Sequence, residues 1–391
     1  MKVLYCNPVF LDYRLPFYKQ LVSLFEGNFH VMYSPTRYHL MKRDDLCKRI
    51  KCEMNENAHP FKKDFMFDTA TMSFNRMEME YGQKISFTFG LIRAIRKIKP
   101  EVLVSEAFFQ WTPLCLVYSI LFHIPLYIGY ERTCYTERNV GKLKTIYRKI
   151  VDKFTAGYFV NGNETCKYLE SIGIRKEKIH VVGMSADSDG LRNGISSMSD
   201  EDKRLFMKSL LPNKKQNGLV FLFSGRVSVL KGADLLLKAW EKHILKFPED
   251  HIVLIGQGDK SAELEKKYVN NKSVHLVGRV NYNIVYKYYA IADVFVLPTL
   301  LDNWSLVIPE AMSCGLPVST TIYNGCHSEL VHEGENGYVF DCFKQESILK
   351  ALDYFHHHDL KKMGQKSVEL ERYFNAENCA QRLYNAIMNK K

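Results

Sequence analysis

Short apolar runs alternate with amphipathic stretches along most of the chain. Runs at 2–6, 29–33, 101–105, 126–129 and 157–160 are continuous and apolar, the signature of strands buried on both faces. Between them lie stretches of helical period. One is 15–25, and another is 88–98, where Leu91, Ile92, Ile95 and Ile98 share a face. After a polar stretch at 187–217 the series begins again. Strands are expected at 219–224, 251–255, 274–276, 294–297 and 318–320, with helices at 233–243, 262–268, 283–290 and 308–314 between them. Strand–helix alternation predicts parallel sheets covered on both faces. Two such series predict an α/β chain of two doubly wound, Rossmann-like domains, divided as 1–186 and 187–372, with a closing segment at 373–391. The separator holds Ser185, Ser188, Gly190, Gly194, Ser196, Ser197 and Ser199 and reads as loop. Ligands of such sheets bind outside the carboxyl ends of the strands, so a cleft between the domains is the expected site.

Composition narrows this further. The chain has 391 residues, 46% hydrophobic and 25% charged, a soluble globular balance for two domains. The ten cysteines include no CxxC pair, so free thiols in a reducing cytosol are expected, with neither a disulfide framework nor a metal site. The first residues run into a strand without a signal-peptide layout. The longest apolar stretch, 112–130, is interrupted by Pro113, His123 and Pro125 and reads as a buried helix followed by a buried strand, a membrane span being the alternative. The net charge of +11 is uneven: residues 1–185 hold 28 Lys and Arg against 18 Asp and Glu. An anionic partner of the first domain follows, whether a membrane surface, a phospholipid-like acceptor or nucleic acid, against the alternative of solvated surface lysines. The helix expected at 140–154 is the favoured surface. Leu143, Ile146, Tyr147, Ile150, Val151 and Phe154 should pack inward, and Lys142, Lys144, Arg148, Lys149 and Lys153 should face outward.

The second half carries the candidate chemistry. Strand 219–224 runs into Gly225-Arg226, and Lys231-Gly232 follows. Glycines allow close backbone approach, and two fixed positive charges at a strand's carboxyl end suit a diphosphate. Gly256, after strand 251–255, and Arg279-Val280, after strand 274–276, extend this loop set. Asp302 and Glu310 flank a helix start that Pro309 confines to 305–309. The backbone of Ser305, Leu306 and Val307 would then point its N–H groups at the diphosphate. Glu310 would accept from ribose hydroxyls, and Asp302 from those of a donor sugar. Trp304 either stacks on a ligand or packs. His356-His357-His358 has a metal-like look, but consecutive helical histidines diverge, and a solvated helix end is the better reading.

From residue 219 to residue 339 the chain resembles the donor domain of family 4 of the retaining glycosyltransferases. The likeness is carried by Ser224-Gly225-Arg226 with Lys231-Gly232-Ala233-Asp234, by Ile255-Gly256-Gln257-Gly258, and by Ala292-Asp293 through Pro298. The Asp302/Glu310 helix, the Gly325 to Glu329 segment and Glu335-Asn336-Gly337 complete it in order. Three departures stand out. Asp302 replaces the usual Glu. Residues 7–16 replace a Gly-Gly loop and resemble a subset of bacterial polysaccharide-assembly transferases. Tyr130-Glu131-Arg132 stands where a His often follows the strand. The resemblance implies a GT-B fold with a closing helix at 376–388 that returns to the first domain. It further implies sugar transfer from a nucleoside-diphosphate sugar to an acceptor hydroxyl with retained configuration, uridine being the commonest base. No cofactor and no metal are implied; Arg226, Lys231 and the helix start would carry the leaving charge, and no Asp-x-Asp motif stands in a loop directly after a strand.

On the acceptor side Glu131 is a candidate to orient a hydroxyl or stabilise the sugar cation, against a structural pair with Arg132 or Arg14. Arg14, with Asp12 and Tyr13, is a candidate for an acceptor phosphate, against a local Asp12–Arg14 pair. The expected acceptor is a glycan, lipid-linked, at the inner leaflet of the cytoplasmic membrane; nucleic acid is not expected. Two other function classes share the fold: a sugar-nucleotide epimerase, hydrolase or phosphorylase, and a non-catalytic sugar-nucleotide-binding subunit. The sequence has no pyridoxal-lysine signature, and an epimerase lacks Arg226/Lys231 and Asp302/Glu310 in this order. Asp302 leaves the non-catalytic reading open.

Overall fold

The structure, a computed structural model, describes residues 1–68 and 84–389. The chain divides into two compact units, Met1–Gly183 with Ala376–Lys391, and Met184–Asn375.

In the first unit seven strands form one sheet: β1 (Val3–Cys6), β2 (Phe29–Tyr33), β3 (Ala58–Pro60), β6 (Val102–Glu106), β7 (Leu126–Tyr130), β8 (Gly157–Val160) and β9 (Ile179–Val181). β4 (Asp64–Asp68) and β5 (Lys84–Thr88) pair separately as an antiparallel hairpin. The sheet order is β3-β2-β1-β6-β7-β8-β9, parallel throughout. β1 shows why its run is apolar without alternation. Val3 and Tyr5 enter one core, Leu4 and Cys6 another, because successive side chains leave a strand on opposite faces. The helix Ala376–Met388 belongs to this unit. It buries Cys379, Ala380, Leu383 and Ile387 in the core beneath the helix Arg14–Leu24, and the Arg382 guanidinium donates to the Val182 carbonyl at 2.9 Å.

The second unit has six parallel strands: β10 (Val220–Ser224), β11 (His251–Ile255), β12 (Val274–Gly278), β13 (Val294–Leu297), β14 (Val318–Thr321) and β15 (Gly337–Phe340). Their order is β12-β11-β10-β13-β14-β15. Strand order therefore reverses between β10 and β13, and in the first unit between β1 and β6. Reversal opens a crevice at the carboxyl ends of the two central strands, where ligands of such sheets bind.

Three expectations fail. The separator is not loop: it forms the helices Ser188–Ser196 and Asp200–Leu210. Three of its polar residues cap these helices. Asp187 accepts the Gly190 N–H, and Ser199 with Asp202 closes a capping box. The helix expected at 140–154 runs Lys142–Asp152, but its buried side is Arg148 and Val151. Arg148 is 3% exposed, bonded to Glu137 at 2.8 Å and to the Tyr168 hydroxyl. This buried ion pair turns the helix, so Leu143, Ile146, Ile150 and Phe154, expected inside, face solvent. The apolar stretch 112–130 is the helix Thr112–Phe122 followed by the buried strand β7, but the helix, expected buried, leaves Val117, Ile120, Leu121 and Phe122 exposed. Among the described residues no helix is long and apolar enough to cross a membrane.

Candidate functional site

In the second unit, β10 ends at Ser224 and the chain turns through Gly225 at φ 146° into the exposed Arg226. Gly256, at the end of β11 with φ 130°, lies against this turn. A Cβ there would stand 1.8 Å from the Gly225 carbonyl oxygen, so only glycine lets the two strand ends converge. Gly232 is equally confined, with the Pro298 carbonyl 2.1 Å from the position of a Cβ. That contact draws the turn carrying Lys231 onto the loop after β13. There the Lys231 ammonium pairs with the Asp302 carboxylate, both partly exposed. Asp302 also accepts from the Ser305 hydroxyl and, at 3.1 Å, from the Trp304 N–H. The two central strands of the reversal thus deliver one cation and one carboxylate to the same point, with Arg226 on the adjoining turn.

The helix after this loop is Val307–Ser313; it begins without a side-chain cap, and Ser305, Leu306 and Val307 form its entry. Pro309 sits in its first turn, where the missing N–H costs nothing. Glu310 accepts from the Tyr289 hydroxyl at 3.2 Å and the Tyr282 hydroxyl at 3.5 Å. Burial, then the Glu310 carboxylate, push the Tyr289 hydroxyl well above its ordinary value, so it stays protonated and donates. Arg279 and Val280 follow the edge strand β12, which β11 separates from β10; Arg279 is exposed there. Trp304 is 5% exposed and packs on Phe374 at 5.4 Å between ring centroids, so it is a packing residue.

The sequence reading missed three partners of this site: Tyr282, Tyr289 and Asn324. Buried Asn324 accepts the Ser305 N–H at 3.3 Å, and the next N–H, of Gly325, bonds the Asp302 carbonyl. These two bonds fix the loop that presents Asp302, and they take up the Ser305 N–H that was expected to face a diphosphate. Asn324 adjoins Gly325 in the segment quoted for the family likeness, and that position is the only signal that points to it.

The first unit gathers a second polar group at its own reversal. Arg14 opens the helix after β1 and pairs with Glu131, which follows β7; their side chains are 12% and 30% exposed. Glu106, the last residue of β6 and absent from the sequence reading, accepts from the Tyr5 hydroxyl at 2.7 Å. Gly129 makes this possible: a Cβ would lie 2.3 Å from the Tyr5 hydroxyl oxygen. Burial raises the Glu131 carboxyl above the usual range and Glu106 adds to it, against the pull of Arg14. Burial, then Glu131, raise the adjacent Tyr13 hydroxyl to about 12. The local Asp12–Arg14 pair is not found, because Asp12 turns to Arg43 at 3.4 Å, and Arg132 goes to Glu137 at 3.2 Å. Arg14 is thus answered by Glu131, with Glu106 beside them.

Among the described residues one group has atoms close enough to hold a cation: His243, Asp250 and His356. Both imidazole Nε2 atoms lie 2.7–2.8 Å from the same Asp250 Oδ2. Nitrogen and oxygen ligands about 2.0–2.2 Å from a tetrahedral ion stand roughly 3.3 Å apart, so the spacing is that of hydrogen bonds. The group lies at the amino end of β11, opposite Arg226 and Lys231. It corrects the reading of His356 as a solvated helix end. Two Asp-x-Asp triplets, at 187–189 and 200–202, open helices as caps.

Over 291 residues the chain is 24% identical to the sulfoquinovosyl transferase SQD2 of Arabidopsis thaliana, covering 70% of this chain and 54% of that protein. It is 25% identical over 286 residues to the alpha-monoglucosyldiacylglycerol synthase of Acholeplasma laidlawii, covering 68% and 69%. The chain spans about half the length of the first curated relatives it matches. The crystal structure of Anabaena Alr3699/HepE in complex with UDP aligns over 100% of both chains with a TM-score of 0.75 at 14% identity. At that identity the likeness carries the fold alone, and the fold is the pair of Rossmann-like domains of GT-B glycosyltransferases. Residues 203–369, the segment that holds Arg226, Lys231, Asp302 and Glu310, match the model of the family described as Glycosyl transferases group 1.

Proposed function

We propose that this protein is a retaining, family 4 glycosyltransferase that moves a hexosyl group from a nucleoside-diphosphate sugar to an acceptor hydroxyl. The observation that carries the reading is the convergence of Lys231 on Asp302, with Arg226 alongside, at the reversal between β10 and β13. The acceptor oxygen bonds to the anomeric carbon as that carbon's bond to the diphosphate oxygen breaks. The electron pair leaves with the diphosphate, and the acceptor proton passes to it. Arg226 and Lys231 stabilise the growing negative charge, and stabilising a developing anion in this way often lowers the barrier more than any other effect. Asp302 accepts from the donor-sugar hydroxyls, Glu310 from the ribose, and Leu306 and Val307 offer backbone N–H groups. Gly225 and Gly256 admit the diphosphate, and neither cofactor nor metal is required.

Uridine as the base is supported by the family resemblance and by the UDP complex of the Anabaena protein. The acceptor is a glycan hydroxyl on a lipid carrier, used in cell-surface polysaccharide synthesis at an anionic inner leaflet. The basic balance of residues 1–185 supports this, and the Acholeplasma relative is named for a glycolipid product. In the first unit Glu131 faces the acceptor hydroxyl, with Arg14 and Tyr13 orienting it. Incubation with a panel of nucleoside-diphosphate sugars tests the reading. Slow release of one nucleoside diphosphate, with the sugar's anomeric configuration kept in the product seen by NMR, is expected. Release from none of the donors, or inversion, overturns it.

A further inference from the structure

The helix Lys142–Asp152 presents an arrangement that the folding of the chain does not use. Leu143 is 83% exposed, and Ile146, Ile150 and Phe154 are 50–53% exposed. Their spacing places them on one stripe along the helix and just past its end. Lys142, Lys149 and Lys153 are exposed beside that stripe, and the opposite side is anchored by Arg148 and Val151. The helix Thr112–Phe122 meets the same apolar core, through Leu116 where the first helix uses Tyr147. It too leaves large apolar side chains exposed, Val117, Ile120 and Leu121. A run of this kind on a monomer surface marks an interaction site. Large apolar side chains edged by lysines, on a helix too short to span, suit the boundary between acyl chains and anionic headgroups.

We propose that this helix docks the protein on an anionic bilayer by inserting Leu143, Ile146, Ile150 and Phe154 among the acyl chains, with Lys142, Lys149 and Lys153 on the phosphates. The inference rests on the membrane part of the proposed function and changes its physics: apolar burial holds the protein, and charge orients it. The lysines decide between a membrane and a second copy of the chain, because a self-contact across a two-fold axis would bring like charges together.

The three native tryptophans, Trp111, Trp240 and Trp304, are buried, so an indole introduced by Leu143→Trp reports the stripe. With phosphatidylglycerol vesicles brominated in their acyl chains, its emission should shift to the blue and be quenched. Co-sedimentation with these vesicles should persist in part at about 0.5 M salt, where screening removes most charge attraction. Ile146→Ser with Ile150→Ser should weaken vesicle binding at least about tenfold at unchanged Tm, both sites being exposed. Vesicle binding that salt abolishes, with the Leu143→Trp emission unquenched, overturns insertion and leaves the electrostatic membrane reading standing. Binding to neither anionic nor zwitterionic vesicles overturns both, and leaves sugar transfer to be judged by its own assay. A concentration-dependent dimer that the two serines dissolve, without vesicle binding, assigns the stripe to a second copy and also overturns the proposal.

Discussion

Glu310 holds its place through two tyrosines, and its replacement is the sharpest test at the level of single residues. A charged hydrogen bond to a ribose hydroxyl contributes about 1.5–3 kcal/mol. Glu310→Gln should therefore weaken nucleoside-diphosphate binding at least several-fold while Tm holds, and titration calorimetry measures it; unchanged affinity would mean the ribose lies elsewhere. Arg226→Ala and Lys231→Ala should each lower turnover by about 100-fold or more, the scale seen when one donor to a developing anion is removed. Differential scanning fluorimetry should show little change, because Arg226 is exposed and Lys231 partly so. Near-parent turnover in both would move the diphosphate from this loop. Glu131 gives a pH signature. Its carboxyl is raised by burial, so activity that needs the carboxylate should fall on acidification at a higher pH than an ordinary glutamate would cause. Glu131→Gln should remove that acid limb, and a limb unchanged in the variant would assign it to another group. Arg226, Lys231, Asp302 and Glu310 were legible because short-range patterns announce them: glycines after a strand, and carboxylates around a Pro-marked helix start. Tyr289, Asn324 and Glu106 were not. Each reaches its partner from a distant strand, helix or turn, and no local spacing encodes that.

At the level of elements, the second sheet's amino end is held by the Asp250 clamp. Asp250 accepts from His243, His356 and the Leu219 N–H, tying the helix Ala233–Lys246 and the turn at Phe355–His357 to the starts of β10 and β11. Burial pushes the Asp250 carboxyl up, but these hydrogen bonds outweigh it and hold it below the usual range. A depressed carboxyl contributes stability that is present above the unfolded value, about 4, and is lost as pH falls through the folded one. Asp250→Ala should cost about 2–4 kcal/mol, since it strands three donors. It should also flatten the acid side of a stability–pH curve; denaturant unfolding at several pH values checks both, and an unchanged midpoint would deny the clamp any weight. The strands were the most legible elements, because parallel strands buried on both faces are continuous apolar runs. β2, β8, β11 and β13 run over the expected residues. Where the reading failed, side chains had second uses. Serines and aspartates of the separator cap helices, and Arg148 enters the core with Glu137 while leucine and isoleucine face outward.

At the scale of the whole molecule, two sheets, each reversing its strand order beside its first strand, follow from two strand–helix series in the sequence. Each reversal gathers charged side chains from its two central strands or their neighbours: Lys231 and Asp302 in one unit, Arg14, Glu106 and Glu131 in the other. The series were legible because each strand is short, apolar and bounded. The pairings were not, because which strand lies beside β1 or β10 depends on long-range packing. The central claim is that the crevice between β10 and β13 binds a nucleoside-diphosphate sugar for transfer. Isothermal titration with UDP and the other nucleoside diphosphates, on the parent protein and on Arg226→Ala and Glu310→Gln, tests it most directly. One nucleoside diphosphate should bind saturably to the parent, and each variant should bind it at least several-fold more weakly. Binding of none of them to the parent, or equal binding to all three proteins, would contradict the claim.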